Sequence, residues 1–182
     1  AGISDVAAPE ALAAALADAA GQGRAVHYLP PYRASMEVAL SRMLGIPLDD
    51  VKAGASADLV EAVAEQRLVK TAAEVAEIED ALGVTHAMFV SAMAEARPGL
   101  LEADIAGLIQ GIALRRNRQQ TFLPITTVSG EVLHNESRHQ VLGEDQLLCI
   151  DSGAESPEFY ASDITRTFPV RGRFDARQRA VY

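Results

Sequence analysis

The chain has 182 residues and a formal net charge of −9, with 49% hydrophobic and 23% charged residues. A chain of this length can bury a sizeable core, and its acidic balance argues against a surface for nucleic acids or anionic membranes. Cys149 is the only cysteine, so an internal disulfide and a cysteine-built zinc site are both excluded. No apolar run has the length of a membrane span and no signal peptide is visible, so a cytoplasmic location is expected.

The first part of the chain predicts a fragment of a small α/β domain. The alanine-rich residues 8–21 predict a helix, and residues 24–30 predict a short strand that two prolines end. Two further amphipathic stretches, 36–45 and 57–69, predict helices. Together these elements indicate one flank of an α/β domain over residues 1–66.

A second domain is predicted over residues 67–182, and it begins with two helices. Thr71 and Glu74 have the T-x-x-E spacing of a capping box, which opens a long helix. The predicted apolar stripe of this helix is Val75, Ile78, Leu82, Phe89 and Met93, and that of the next helix is Ile105, Leu108, Ile109 and Ile112.

After Gln120 the apolar period changes from helical to extended. Four segments alternate with turn residues, as in an antiparallel meander: 121–130, 131–135, 146–150 and 159–170. A helix resumes near Asp175. The second region is therefore predicted to be α+β, with helices on one face of an antiparallel sheet.

Two aspartates bracket a turn in the stretch DSGAESPEFYASD, residues 151–163. Asp151 ends an apolar strand, where an ionised carboxylate is costly unless it is compensated. Asp163 lies twelve positions on in the predicted returning strand, and a turn at 155–158 would bring both carboxylates to one face. Close carboxylates repel unless a proton or a cation lies between them, and all-oxygen ligands suit hard or borderline divalent cations. A solvated surface hairpin is the alternative.

His134 adds to the case for a site. It lies in EVLHNES, at the end of a predicted extended segment that could pair with the sheet carrying the aspartates. A neutral imidazole there could ligate a metal, donate a hydrogen bond or move a proton near neutral pH. His27, His86 and His139 are interpreted as strand, helix and loop histidines without a catalytic role.

Four stretches resemble one enzyme family: RLVKTAAEVAEIEDA (67–81), ARPGLLEADI (96–105), VSGEVLHNES (128–137) and LLCIDSGAESPEFYASDITRTFPVRGRF (147–174). They are similar to the Xaa-Pro aminopeptidase and prolidase family, the proline-directed metallopeptidases of the pita-bread fold shared with methionine aminopeptidase and creatinase. The resemblance implies the first half of a pita-bread catalytic domain over residues 67–182. Residues 1–66 resemble, more weakly, the end of the small α/β domain that precedes it.

The resemblance also implies the site residues. Asp151 and Asp163 match the first two ligands of a dinuclear metal site. His134 matches a histidine that lines the substrate pocket and stabilises the reacting centre, and Thr165 matches a threonine whose hydroxyl reaches the metal-bound oxygens. The implied cofactors are two divalent ions, with Mn²⁺ expected and Co²⁺ or Zn²⁺ as alternatives. The implied activity is that of an Xaa-Pro aminopeptidase or dipeptidase acting on peptides with proline at the second position. Because half of the implied sheet is absent from this chain, we expect exposed apolar surface and a partner chain, with a homodimer expected for the protein.

The sequence departs from the family pattern in three ways, of which Ser152 in place of the common alanine is the smallest. Twelve positions separate the aspartates where eleven are usual, and the turn at Ser156-Pro157 would absorb the extra residue. The remaining ligands, a histidine and two glutamates, have no counterpart in this chain. The chain starts without methionine and stops at Tyr182 within a predicted helix, so we expect part of a longer polypeptide that is inactive in isolation.

Two other functions share this fold. One is a peptide-binding module without catalysis, and the other is a metal-free, creatinase-like amidinohydrolase. Both are disfavoured by the pair Asp151 and Asp163, because a peptide groove needs no close acids and the creatinase site lacks them. The sequence therefore favours a metallopeptidase.

Overall fold

The computed structural model describes residues 4–182, and the chain divides into two units between Val69 and Lys70. The first unit contains helices α1 (Glu10–Gly21), α2 (Ala34–Leu44) and α3 (Ala57–Leu68), with a 3-10 turn at Leu48–Asp50. All three predicted helices are confirmed. No helix within residues 4–182 combines the length and the apolarity that crossing a membrane requires.

The strand predicted over residues 24–30 is wrong. A strand needs a neighbouring ladder, and none of the strands described in residues 4–182 pairs with this segment. Its polar groups bond instead to the loop before α3. The N–H of Ser56 donates to the Tyr28 carbonyl at 3.0 Å, and the Tyr28 hydroxyl donates to the Val51 carbonyl at 2.9 Å.

The second unit begins with the predicted capping box, which is confirmed. The Thr71 hydroxyl accepts from the N–H of Glu74 at 3.3 Å, and the Glu74 carboxylate accepts from the N–H of Thr71 at 2.7 Å. Helix α4 (Ala72–Glu95) starts there because both otherwise unpaired N–H groups are satisfied. The Thr71 backbone bond and the Tyr160 hydroxyl, which donates to Glu74 at 2.8 Å, lower the pKa of the Glu74 carboxyl.

Helices α4 and α5 (Glu102–Arg115) form the helical layer of this unit. On α5 the predicted burial of Ile105, Ile109 and Ile112 is confirmed. On α4 the apolar spacing correctly predicts a helix, but Val75 and Met93 lie outside its buried face and are each 43% exposed. The helix turns a neighbouring set of residues to the core instead: Ala81, Val84, Thr85, Met88, Phe89 and Ala92.

The sheet has three antiparallel strands in the order β1 (Ile125–Thr127), β2 (Leu147–Ser152) and β3 (Ile164–Pro169). Burial alternates along β2, so Leu148 and Ile150 pack against α4 and α5. Each such side chain contributes about 1.5–3 kcal/mol through burial. The predicted α+β class, with helices on one face of an antiparallel sheet, is confirmed.

Two predictions about the flanking segments have opposite outcomes. The strand predicted over residues 131–135 is wrong, because the chain turns there, with the N–H of Val132 donating to the Ser129 carbonyl at 3.0 Å. The helix predicted near Asp175 is confirmed as α6 (Ala176–Val181), which the Asp175 carboxylate caps by accepting from the N–H of Gln178 at 2.7 Å.

Candidate active site

The two aspartates approach each other across neighbouring strands. Asp151 is the fifth residue of β2 and stands opposite Ile125 on β1 and Thr165 on β3. Asp163 immediately precedes β3 and so lies just outside the returning strand in which it was predicted. The two carboxyl groups line the same cavity, near enough for the charge of Asp151 to act on Asp163.

A tight backbone contact holds this pair in place. Gly153, two residues after Asp151, packs against Ser162, the residue before Asp163. A Cβ at Gly153 would lie only 1.7 Å from the Ser162 carbonyl oxygen, so only glycine fits. Ser162 is itself buried, and its hydroxyl accepts from the N–H of Ala154 at 3.0 Å and lies 2.7 Å from the Thr85 hydroxyl. The contact fixes the spacing of the two carboxylate-bearing segments.

Replacing Gly153 with alanine should destabilise the chain by about 3 kcal/mol, because the new methyl group meets backbone that cannot move aside. Urea unfolding followed by circular dichroism measures the change. Gly107→Ala is the matched control, since a Cβ at this α5 position meets nothing within 4 Å and should stabilise the helix by about 0.5–1 kcal/mol. Equal effects of the two substitutions would contradict the contact at Gly153.

Asp151, Asp163 and His134 line one cavity of about 420 Å³, together with Glu136. The remaining walls are apolar, formed by Phe122, Leu123 and Ile125. His134 reaches the cavity from an exposed turn, with a φ of +53°, a left-handed conformation that histidine adopts more readily than most residues. Thr165 lies beside the cavity, and its hydroxyl donates to Asp151 Oδ1 at 2.8 Å.

The electrostatics of the cavity favour a bound cation. Partial desolvation raises the pKa of the Asp163 carboxyl, and the charge of Asp151 and the hydrogen bond with it raise this pKa further. Such a pair is relieved by a proton or by a cation between the carboxylates. The donors are carboxylate oxygens, which suit hard and borderline divalent ions. The pair thus fits one side of a divalent-metal site, although residues 4–182 include no cluster of three or more His, Cys, Asp or Glu residues that could hold an ion.

Two polar residues near this site are not among the sequence-predicted candidates. Glu136 lines the cavity, and its position two residues after His134 is the only sequence feature that points to it. Glu102 is fully buried at the start of α5 and bonds to the segment that carries His134. An acidic residue in a first helical turn is ordinarily explained by the helix dipole, so its burial has no sequence signature.

Comparisons with known proteins agree with this architecture. The chain is 35% identical over 123 residues to the Xaa-Pro aminopeptidase of Escherichia coli, covering 66% of this chain and 28% of that relative. It therefore spans less than a third of the relative's length. The structure of Pseudomonas aeruginosa aminopeptidase PepP superposes with a TM-score of 0.72 at 26% identity, over 86% of this chain and 37% of that one.

A further structure, zinc-substituted E. coli aminopeptidase P in complex with product, matches with a TM-score of 0.71 at 30% identity. It covers 85% of this chain and 37% of that one. The predicted fold, part of a pita-bread catalytic domain, is confirmed by these likenesses. The family description "Metallopeptidase family M24" matches residues 76–182, more than half of the chain. With this match and the helices and sheet described above, the chain belongs to metallopeptidase family M24.

Proposed function

We propose that the protein containing this chain is an Xaa-Pro aminopeptidase, which removes the N-terminal residue from peptides with proline at the second position. The observation that carries the proposal is the close pair Asp151 and Asp163 facing the same cavity as His134. The similarity to the E. coli Xaa-Pro aminopeptidase supports the substrate class. Because this chain covers 28% of that relative, the activity is proposed for the whole protein.

In this proposal Asp151 and Asp163 are metal ligands. Their oxygen donors and mutual repulsion favour two divalent ions, Mn²⁺ first, with further ligands supplied from outside this chain. Thr165 keeps Asp151 oriented, since its hydroxyl donates to Oδ1 and leaves Oδ2 available. When bound, the ions would supply Lewis-acid activation of a water molecule at neutral pH.

The other cavity residues have separate tasks in the proposal. His134 donates an N–H to the scissile carbonyl oxygen as negative charge develops on it, which is the kind of stabilisation that accelerates acyl transfer. Phe122, Leu123 and Ile125 contact the substrate's apolar surface and limit the access of bulk water. The hydrogen bond from His134 and the exclusion of water would thus both act at the scissile carbonyl.

The test is hydrolysis by the whole protein. With added Mn²⁺ it should release the first residue of an Ala-Pro-Ala peptide, and a chelator should abolish the release. The matched control is Ala-Ala-Ala, which should remain uncleaved, and the dipeptide Ala-Pro separates aminopeptidase from dipeptidase activity. Equal cleavage of both tripeptides, or full activity in the chelator, would contradict the proposal.

A further inference from the structure

Glu102 is the one charged side chain that is buried among the residues the structure describes, with an exposure of 0%. It is the first residue of α5 and does not line the cavity. Burying a carboxylate is costly unless hydrogen bonds replace its lost hydration. The hydrogen-bond partners of Glu102 therefore indicate its role in the structure.

All of these partners lie around one segment. We name residues 128–140, which carry His134 near their middle, the histidine loop. Glu102 Oε1 accepts from the N–H of Val128 at 2.8 Å and from the Thr127 hydroxyl at 3.0 Å. Oε2 accepts from the N–H of Gln140 at 3.2 Å. One carboxylate thus binds both ends of the loop.

The backbone of α5 also binds the C-terminal end of the histidine loop. The N–H of Glu102 donates to the Gln140 carbonyl at 3.0 Å, and the N–H of Ala103 donates to the Arg138 carbonyl at 3.1 Å. Gln140 and Ser129 are joined across the loop, with Gln140 Nε2 donating to the Ser129 hydroxyl at 2.9 Å. The loop is therefore closed at its base by groups that Glu102 organises.

A second layer of bonds extends from Glu102 to the histidine. The Thr127 hydroxyl, which donates to Glu102, accepts from Asn135 Nδ2 at 3.0 Å. Asn135 follows His134 directly, so two hydrogen bonds and one peptide link connect Glu102 to the residue with φ +53°. A left-handed residue outside glycine persists only where its surroundings hold it.

We propose that Glu102 is a positioning residue: it fixes both ends of the histidine loop and, through Thr127 and Asn135, the placement of His134 at the cavity. The role in catalysis rests on the function proposed above. The role in holding the loop rests on the hydrogen bonds alone, and the two are tested separately.

Hydrogen–deuterium exchange on the whole protein tests the loop. Glu102→Gln keeps the size of the side chain but turns an amide NH₂ group toward one of its donors. Exchange should rise about tenfold or more at whichever of Val128 and Gln140 faces the NH₂ group, because that N–H loses its acceptor. Exchange at the other residue should rise less, because its acceptor keeps its place and loses only its charge. Exchange in α4 should change only as much as global stability does.

The control for global stability is Ile109→Val on the same helix, a fully buried position outside the network. It should raise exchange across α4, α5 and the loop to a similar extent. If Glu102→Gln gives this same uniform pattern at a matched loss of stability, Glu102 is an ordinary buried residue and the proposal fails.

Thr127 offers a matched pair of variants with a milder change. Thr127→Ser keeps the hydroxyl and should leave the NMR resonance of the His134 imidazole unchanged. Thr127→Val removes the hydroxyl and should shift that resonance. The resonance is assigned by its loss in His134→Asn. Identical spectra for the serine and valine variants would show that the path through Thr127 does not position His134.

Kinetics in the whole protein test the catalytic half. Glu102→Gln should lower kcat about tenfold or more with little change in KM and unchanged metal content, since a small displacement of a reacting group is costly. Thr127→Ser should retain most of the activity. Altered exchange with unchanged kcat would overturn the catalytic role while the loop assignment stands. A wild-type protein without peptidase activity would overturn the function proposed above, and the exchange and resonance results would still decide the loop.

Discussion

Asp163→Asn should abolish divalent-ion binding and lower peptide hydrolysis by the whole protein by about a thousandfold or more. An amide cannot supply the charge that a divalent ion requires, and the water activation that such an ion provides is lost with it. Asp151→Asn should have the same effect, because the two carboxylates share one cavity. Calorimetric titration with Mn²⁺ and the Ala-Pro-Ala assay measure the two losses. Retained Mn²⁺ affinity in both variants would contradict the proposed ligands.

Asp163→Asn should not lower the stability of the metal-free protein. The pKa of Asp163 is higher in the folded protein than in the unfolded chain, so protonated Asp163 stabilises the fold. This contribution is fully present below the unfolded pKa and is lost as the pH rises through the folded pKa. At neutral pH the charged pair is therefore a small liability, and Asp163→Asn should leave the Tm unchanged or raise it by about a few degrees at most. Glu144→Gln, at an exposed position, controls for the change in net charge. A lower Tm for Asp163→Asn at pH 7, with no such loss for the control, would show that the carboxylate stabilises the fold.

The second large effect is expected at His134. His134→Asn should lower kcat about a hundredfold with Mn²⁺ binding unchanged, because the histidine is proposed to stabilise developing charge and not to hold the ions. Asparagine is the better test residue than alanine, since it also adopts the left-handed backbone found here. Stopped-assay rates and Mn²⁺ titration of the same preparation separate the two quantities.

His139→Ala is the control for this experiment. His139 is also exposed and lies five residues further along the same loop. Its side chain forms a hydrogen bond with Ser137 and does not line the cavity. Its replacement should leave kcat within about twofold of wild type, as expected for a side chain that does not contact the reacting group. Equal losses at His134 and His139 would indicate a general disturbance of the loop.

Local patterns explain how much of the fold could be predicted. The Thr71–Glu74 capping box and the apolar period of α5 depend on residues three or four apart, and both predictions are confirmed. The wrong strand predictions at residues 24–30 and 131–135 have a different cause, which is the absence of a pairing partner. An apolar extended segment becomes a strand only if another strand is placed beside it, and sequence periodicity does not report that placement.

The same distinction holds for the candidate site. Asp151 and Asp163 are visible in the sequence because one hairpin brings them together, and their proximity follows from β2 and β3 pairing. Glu102 is not visible, because its partner Gln140 lies 38 residues away and the contact exists only once α5 has packed on the sheet. Residues whose role depends on long-range packing are thus the ones that composition and spacing miss.

The close contact between Gly153 and Ser162 also bears on the order in which the site assembles during folding. Closing the short hairpin between these residues costs little chain entropy, so the two carboxylates can meet as soon as β2 and β3 pair. Placing the histidine loop requires the longer closure between Glu102 and Gln140. Contacts that are distant in sequence are slow to form, because the entropy of closing the loop is lost before the contact is gained. The pair Asp151 and Asp163 should therefore come together before His134 and Glu136, which the histidine loop carries, reach the cavity.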